Sequence, residues 1–80
     1  MEEYEQIALE LVRRFNSGEQ PAVVARNASL AVLRAERPST VAQLLLNIQE
    51  EVARLAGNDN LVVTGESSNG QLYYKAEVQS

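Results

Sequence analysis

The chain has 80 residues, a formal net charge of −4 and neither cysteine nor histidine. That length predicts one small domain over residues 1–80, which buries roughly 60% of the surface of the unfolded chain. The lack of a disulfide framework, the acidic rather than basic N-terminal residues and the absence of an apolar run long enough to cross a bilayer favour a cytoplasmic protein with no membrane contact.

The first predicted element is an amphipathic helix over residues 2–17. Its first turn is acidic and its last turn is basic, as the helix dipole favours. Ser17-Gly18 ends it, because glycine readily takes the left-handed conformation of a C-cap. Six apolar residues recur at helical spacing along it: Tyr4, Ile7, Ala8, Leu11, Val12 and Phe15.

A second helix is predicted over residues 21–37. Pro21 suits the first turn of a helix, and Pro38 would stop it. This segment is the basic part of the chain, with three arginines against one glutamate. Because the predicted helix is apolar on more than one side, we expect its surplus face to meet a partner. That face contains Arg26, Leu30, Leu33, Arg34 and Arg37.

A third helix is predicted over residues 40–56. Thr40 and Gln43 have the spacing of a capping box, and Gly57 marks the C-terminal end. The apolar residues of this segment line one narrow face, which is the clearest amphipathic pattern in the chain: Val41, Leu44, Leu45, Ile48, Val52 and Leu55.

The last predicted element is an antiparallel β-hairpin over residues 61–79. Asn69-Gly70 is a typical two-residue type I′ turn, and pairing outward from it places Gly65 opposite Tyr74. In this register one face is almost wholly apolar and the other is mostly polar. The predicted fold class is therefore α+β, with a three-helix body followed by a C-terminal antiparallel hairpin.

The predicted hairpin also suggests association with another chain. A two-stranded ribbon leaves both backbone edges unpaired, so a strand of another chain could join it. Tyr73 and Lys75 lie on its polar face and are candidate partner-binding residues.

The residue inventory argues against an enzyme and against a bound cofactor. With no histidine or cysteine, one aspartate and one lysine, the usual catalytic triads and most zinc sites are excluded. Asn58-Asp59-Asn60 offers oxygen ligands but lacks the glycine and closing glutamate of an EF-hand, so a turn is expected there. No catalytic, cofactor or metal residue is predicted.

Two functions fit this pattern. The first is a small protein-interaction module with an adaptor, chaperone-like or regulatory role, acting as a homodimer. The alternative is a winged helix-turn-helix regulator, because three helices and a hairpin follow the order of that class. Its third helix and hairpin tip offer Arg54 as their one cation, so we do not expect nucleic acid as a partner.

Overall fold

The computed structural model describes residues 2–26 and 35–79, which form an α+β fold. Two helices pack on a three-stranded antiparallel sheet in this part of the chain. In chain order the elements are helix α1 (Glu3–Asn16), strand β1 (Ala22–Ala25), helix α2 (Pro38–Ala56), strand β2 (Leu61–Ser68) and strand β3 (Gln71–Val78).

The helix predicted over residues 21–37 is wrong at its start, where the structure has strand β1. Val23 and Val24 are β-branched and suit a pleated strand, and the pairing is extended by Arg26, whose N–H donates to the carbonyl of Leu72 at 2.7 Å. Residues 27–34 of that predicted helix lie outside the described residues. The predicted three-helix body is therefore corrected to two described helices, with one strand preceding the second of them.

Helix α1 confirms the first predicted helix. Its backbone leaves the helix at Ser17, whose N–H donates to the carbonyls of Arg13 and Arg14, and Gly18 follows with a φ of +99°. At the other end, the N–H of Glu2 donates to the Glu5 carboxylate at 3.4 Å. The acidic first turn and basic last turn therefore lie where the helix dipole favours them.

Helix α2 begins two residues earlier than the sequence predicts. Pro38 occupies the first turn and so opens this helix, a position where its missing N–H costs nothing. Arg37 is the N-cap residue and no side chain caps it, so the capping box predicted at Thr40 and Gln43 is wrong. The C-terminal end is as predicted, because Gly57 has a φ of +63° and its N–H reaches the Ala53 carbonyl at 2.9 Å.

Strands β2 and β3 form the predicted hairpin in the predicted register. Ser68 pairs with Gln71 across the turn, and Gly65 lies opposite Tyr74. Asn69 and Gly70 both have positive φ, 54° and 77°, as a type I′ turn requires. Turn chemistry and the alternation of apolar residues therefore specify the same pairing.

The sheet has the strand order β1-β3-β2, so β3 is its central strand. The expectation that both edges of the hairpin are unpaired is wrong, because β1 pairs antiparallel with β3 from Ala22–Ala76 to Ala25–Tyr73. Among residues 2–26 and 35–79, the edges of the sheet are the outer edge of β2 and the outer edge of β1.

The hydrophobic core lies between the helices and one face of the sheet. Tyr74 is its largest fully buried side chain. Alternate residues of the three strands point into this core, while their neighbours form an outer face that no described helix covers. The buried residues are Ile7, Ala8, Leu11, Val12, Ala22, Ile48, Val52, Leu61, Val63, Tyr74 and Ala76.

Candidate protein-binding edge

Tyr73 and Lys75, two of the predicted partner-binding residues, lie together on the outer face of the sheet. The Tyr73 hydroxyl donates to the Gln71 side chain at 2.8 Å, and the Lys75 ammonium pairs with Glu66 on β2 at 2.7 Å. The hydrogen bond from Lys75 lowers the pKa of Glu66, and the same contact raises the pKa of Lys75. This face is therefore partly polar, with its lysine already paired.

Arg26 lies on the opposite face of the sheet from Tyr73 and Lys75. Its side chain is only 9% exposed and makes two hydrogen bonds with Glu36, at 2.6 and 2.7 Å, besides an ion pair with Glu3. The hydrogen bonds to Glu36 and Glu3 raise the pKa of Arg26, and the hydrogen bonds from Arg26 lower the pKa of Glu36. Arg26 thus joins α1 to the residues before α2 and is not available as a cation for a partner.

Of the remaining predicted partner-binding residues, the structure describes one, Arg37. Leu30, Leu33 and Arg34 lie outside the described residues. Arg37 is exposed at the N-terminal end of α2. Within the described residues, the edges of the sheet are the next surfaces that could bind a partner.

The outer edge of β1 is short and partly covered by α1. Because Ala22, Val24 and Arg26 direct their backbone groups towards β3, the outward groups belong to Val23 and Ala25. The guanidinium of Arg14 donates to the Val23 carbonyl at 2.7 Å. This side-chain bond blunts an edge that is only four residues long.

The outer edge of β2 is covered over its first half by α2. The Gln49 side-chain amide donates to the Leu61 carbonyl at 2.7 Å, and its oxygen accepts from the Val63 N–H at 2.6 Å. One glutamine therefore satisfies a carbonyl and an N–H in the way that a neighbouring strand would. The two contacts also establish that the odd-numbered residues of β2 direct their backbone groups outward.

The second half of the β2 edge has no such cover. By the same alternation, Gly65 and Ser67 direct their N–H and C=O groups away from β3, and no described residue hydrogen-bonds to them. Both residues are exposed. We call Val63 to Ser67 the open edge, since the Val63 carbonyl is also unpaired within the described chain.

The open edge is supported from beneath by the core. The ring of Tyr74 lies under Gly65, with Cε1 3.6 Å from the point where a Cβ on that residue would be. Aromatic rings that cover a cross-strand glycine help to fix strand register. The unpaired backbone is thus part of a regular, well-paired strand rather than of an irregular loop.

The described residues offer little to a small-molecule or metal site. No group of three or more acidic side chains is placed to hold a metal ion within residues 2–26 and 35–79. Asn58 forms the predicted turn, its side-chain oxygen accepting from the N–H of Asn60 at 2.9 Å. A groove of about 470 Å³ lies between the N-terminal turns of the two helices and is lined by glutamates and hydroxyl side chains.

None of the helices in the described part of the chain is both long and apolar enough to span a bilayer. Comparison with known proteins finds no matching family model, no curated protein of significantly similar sequence and no solved structure of significantly similar fold. The open edge is therefore the feature of the described residues that bears most directly on function.

Proposed function

We propose that the protein is a small, non-enzymatic protein-interaction module that binds an extended strand of another chain at the open edge. The observation that carries the proposal is the unpaired outward backbone of Gly65 and Ser67 on a strand whose first half is satisfied by Gln49. Edge strands with free N–H and C=O groups accept added strands through main-chain hydrogen bonds.

The contrast between the two edges of the sheet supports this choice of surface. At the β1 edge, Arg14 occupies the Val23 carbonyl, and the strand is too short to offer a long row of groups. At the β2 edge, the exposed stretch continues for several residues to the turn. A homodimer in an adaptor, chaperone-like or regulatory role is the form of association that we favour.

The proposal places the protein in the cytoplasm, because a domain without cysteine has no disulfide that requires an oxidising compartment. The winged-helix alternative is not adopted. The predicted reading helix carries one cation, Arg54, which is paired with Glu51, and the hairpin tip from Ser67 to Gly70 contains no lysine or arginine.

The test is a pair of substitutions at one position of the open edge. Ser67→Pro removes an outward N–H, and proline is tolerated on an edge strand when its N–H side faces solvent. Ser67→Ala keeps that N–H and serves as the matched control. Both variants and the wild type are expressed with an affinity tag in the native host beside a differently tagged wild-type copy, and co-purified proteins are identified by mass spectrometry.

We expect wild type and Ser67→Ala to retain a protein that Ser67→Pro loses, whether the second copy or a host protein. Circular dichroism of the three chains tests whether the proline variant keeps the wild-type fold. If all three chains recover the same proteins, the open edge does not bind partners and the proposal is wrong.

A further inference from the structure

The open edge is complementary to itself in one register. Resting on the proposed function, we infer that its occupant is β2 of a second copy of this chain, paired antiparallel about a two-fold axis at Glu66. In that register Gly65 of each copy lies opposite Ser67 of the other. The two sheets then form one continuous six-stranded sheet.

The hydrogen-bond inventory of the edge selects this register. Gly65 and Ser67 each offer one N–H and one C=O, so two such pairs use all the outward groups of both residues in both copies. Antiparallel pairs of this kind exchange two bonds each. No group that Gln49 already satisfies at Leu61 or Val63 is needed.

Gln49 also restricts the neighbouring registers. A shift that placed Gly65 opposite Gly65 would bring Ser67 of the second copy against Val63, whose N–H is bonded to Gln49 at 2.6 Å. The Ser67 carbonyl of the second copy would then have no free N–H to accept from, and the incoming strand would meet the Gln49 side chain. A shift in the other direction leaves Ser67 opposite Ser67 as the single hydrogen-bonded pair. Gly65 would then lie opposite Asn69, which belongs to the turn.

The inferred register has one electrostatic cost, which makes it testable. Glu66 lies on the outer face and would lie opposite Glu66 of the second copy, and like charges directly opposite are destabilising. Each Glu66 is bonded to Lys75 of its own chain at 2.7 Å, so part of this repulsion is offset within each copy. Removing the charge should therefore strengthen the dimer.

The chain has no cysteine, so a single introduced thiol reports contacts between copies without interference. Glu66→Cys places two thiols opposite each other at the axis, within the range of Cα separations that disulfides span. Thr64→Cys is the matched control on the same face and strand. In the inferred register Thr64 lies opposite Ser68 of the other copy, and the two Thr64 positions are four residues out of register.

The experiment combines mild oxidation of each variant with sedimentation equilibrium of the uncrosslinked wild type and Glu66→Gln. We expect Glu66→Cys, but not Thr64→Cys, to form a disulfide-linked dimer of twice the 8.8 kDa chain mass. We also expect Glu66→Gln to lower the dimer dissociation constant about threefold.

A wild-type chain that stays monomeric at high micromolar concentration would overturn the self-pairing. So would a dimer in which Thr64→Cys crosslinks and Glu66→Cys does not. Neither result bears on strand addition by a host protein, which the comparison of Ser67→Pro with Ser67→Ala tests separately. A loss of host proteins by Ser67→Pro together with a monomeric chain would leave the proposed function standing and remove the second copy as occupant.

Discussion

At the scale of single residues, Tyr74 combines two opposite contributions to stability. Its ring is fully buried and covers Gly65, so it fills the core beneath the open edge. Its hydroxyl is also buried, and no described residue forms a hydrogen bond with it. A buried hydroxyl without a partner keeps the cost of its lost hydration. Burial likewise raises the pKa of Tyr74, because the charged phenolate is disfavoured there.

Tyr74→Phe should therefore raise the free energy of unfolding by about 1 kcal/mol. The same substitution should also reduce the loss of folding stability that occurs at alkaline pH. The raised pKa means that the unfolded chain ionises first, so the folded state loses stability as pH rises above the ordinary tyrosine value of about 10. Urea unfolding at neutral and alkaline pH measures both effects, and Tyr73→Phe on the exposed face is the control. A clear loss of stability at neutral pH would mean that the Tyr74 hydroxyl is hydrogen-bonded.

Gly70 is a residue whose backbone conformation restricts its replacement. Its φ of +77° is common for glycine and strained for a β-branched residue. Gly70→Val should lower the free energy of unfolding by about 2 kcal/mol, whereas Asn69→Gly should be tolerated because glycine adopts the φ of +54° found there. Thermal unfolding of the two variants compares them directly, and equal stability would contradict the type I′ turn.

At the scale of elements, helix side chains protect both edges of the sheet. Arg14 of α1 covers β1 and Gln49 of α2 covers β2. Each contact joins a helix to an edge that would otherwise offer its backbone to other chains. The same two helices therefore contribute to the core and leave the second half of β2 as the longer stretch of edge that no described side chain covers.

Gln49→Ala should lower the free energy of unfolding by about 1 kcal/mol, because two hydrogen bonds are lost and water replaces only part of them. It should also extend the open edge to Leu61 and so increase self-association. Gln43→Ala is the matched control, since the side chain of Gln43 donates to Asn47 of the same helix and contacts no strand edge among the described residues. Urea unfolding and light scattering give the two readouts. Equal behaviour of the two variants would show that Gln49 does not protect the edge.

The Arg26 cluster is the other contact that joins elements, and it should make stability sensitive to acid. Arg26 lowers the pKa of Glu36, so the stabilisation is present above the ordinary glutamate range and is lost as pH falls through the folded-state value. Glu36→Gln should cost about 1 to 2 kcal/mol at neutral pH. It should also flatten the decline in stability below about pH 4. Thermal unfolding between neutral and acidic pH tests this, and Glu3→Gln, at a half-exposed carboxylate, should have a smaller effect.

The elements that the sequence predicts well are those in which two independent signals agree. The hairpin is specified both by the turn sequence Asn69-Gly70 and by the alternation of apolar and polar residues along its strands. Its predicted register is confirmed in full. Strand β1 has only four residues, too few to separate a period of 2 from a period of 3.6, and Pro21 and Pro38 fit the ends of a helix as well as other positions. The Val23-Val24 pair was the available signal for a strand.

The open edge could not be located from the sequence for a different reason. Whether an edge is covered depends on tertiary contacts such as that between Gln49 and Val63, which are 14 residues apart. No local pattern distinguishes Gln49 from Gln43, which lies on the same helix but faces solvent. The sequence did indicate that the hairpin would present an edge, and the fold determines which edge and how much of it.

At the scale of the whole molecule, most of the positive charge is paired with glutamates. Five of the seven cationic residues form ion pairs with glutamates: Arg13, Arg14, Arg26, Arg54 and Lys75. Arg37 has no ion pair among the described residues, and Arg34 lies outside them. Because the chain as a whole carries a net charge of −4, the paired cations do not add up to a basic surface.

This distribution leads us to expect negligible affinity for DNA at physiological salt. Binding to a phosphate backbone requires several cations that can release counterions, and Arg54, the one cation of the predicted reading helix, is bonded to Glu51. The hairpin tip, from Ser67 to Gly70, contains no lysine or arginine. Fluorescence anisotropy with a labelled duplex should give no saturable binding at micromolar protein. Glu51→Gln, which releases Arg54, is the variant most able to gain affinity, and it too should bind only at low salt. Tight binding by the wild type that weakens steeply with added salt would contradict the expectation and direct attention to Arg37.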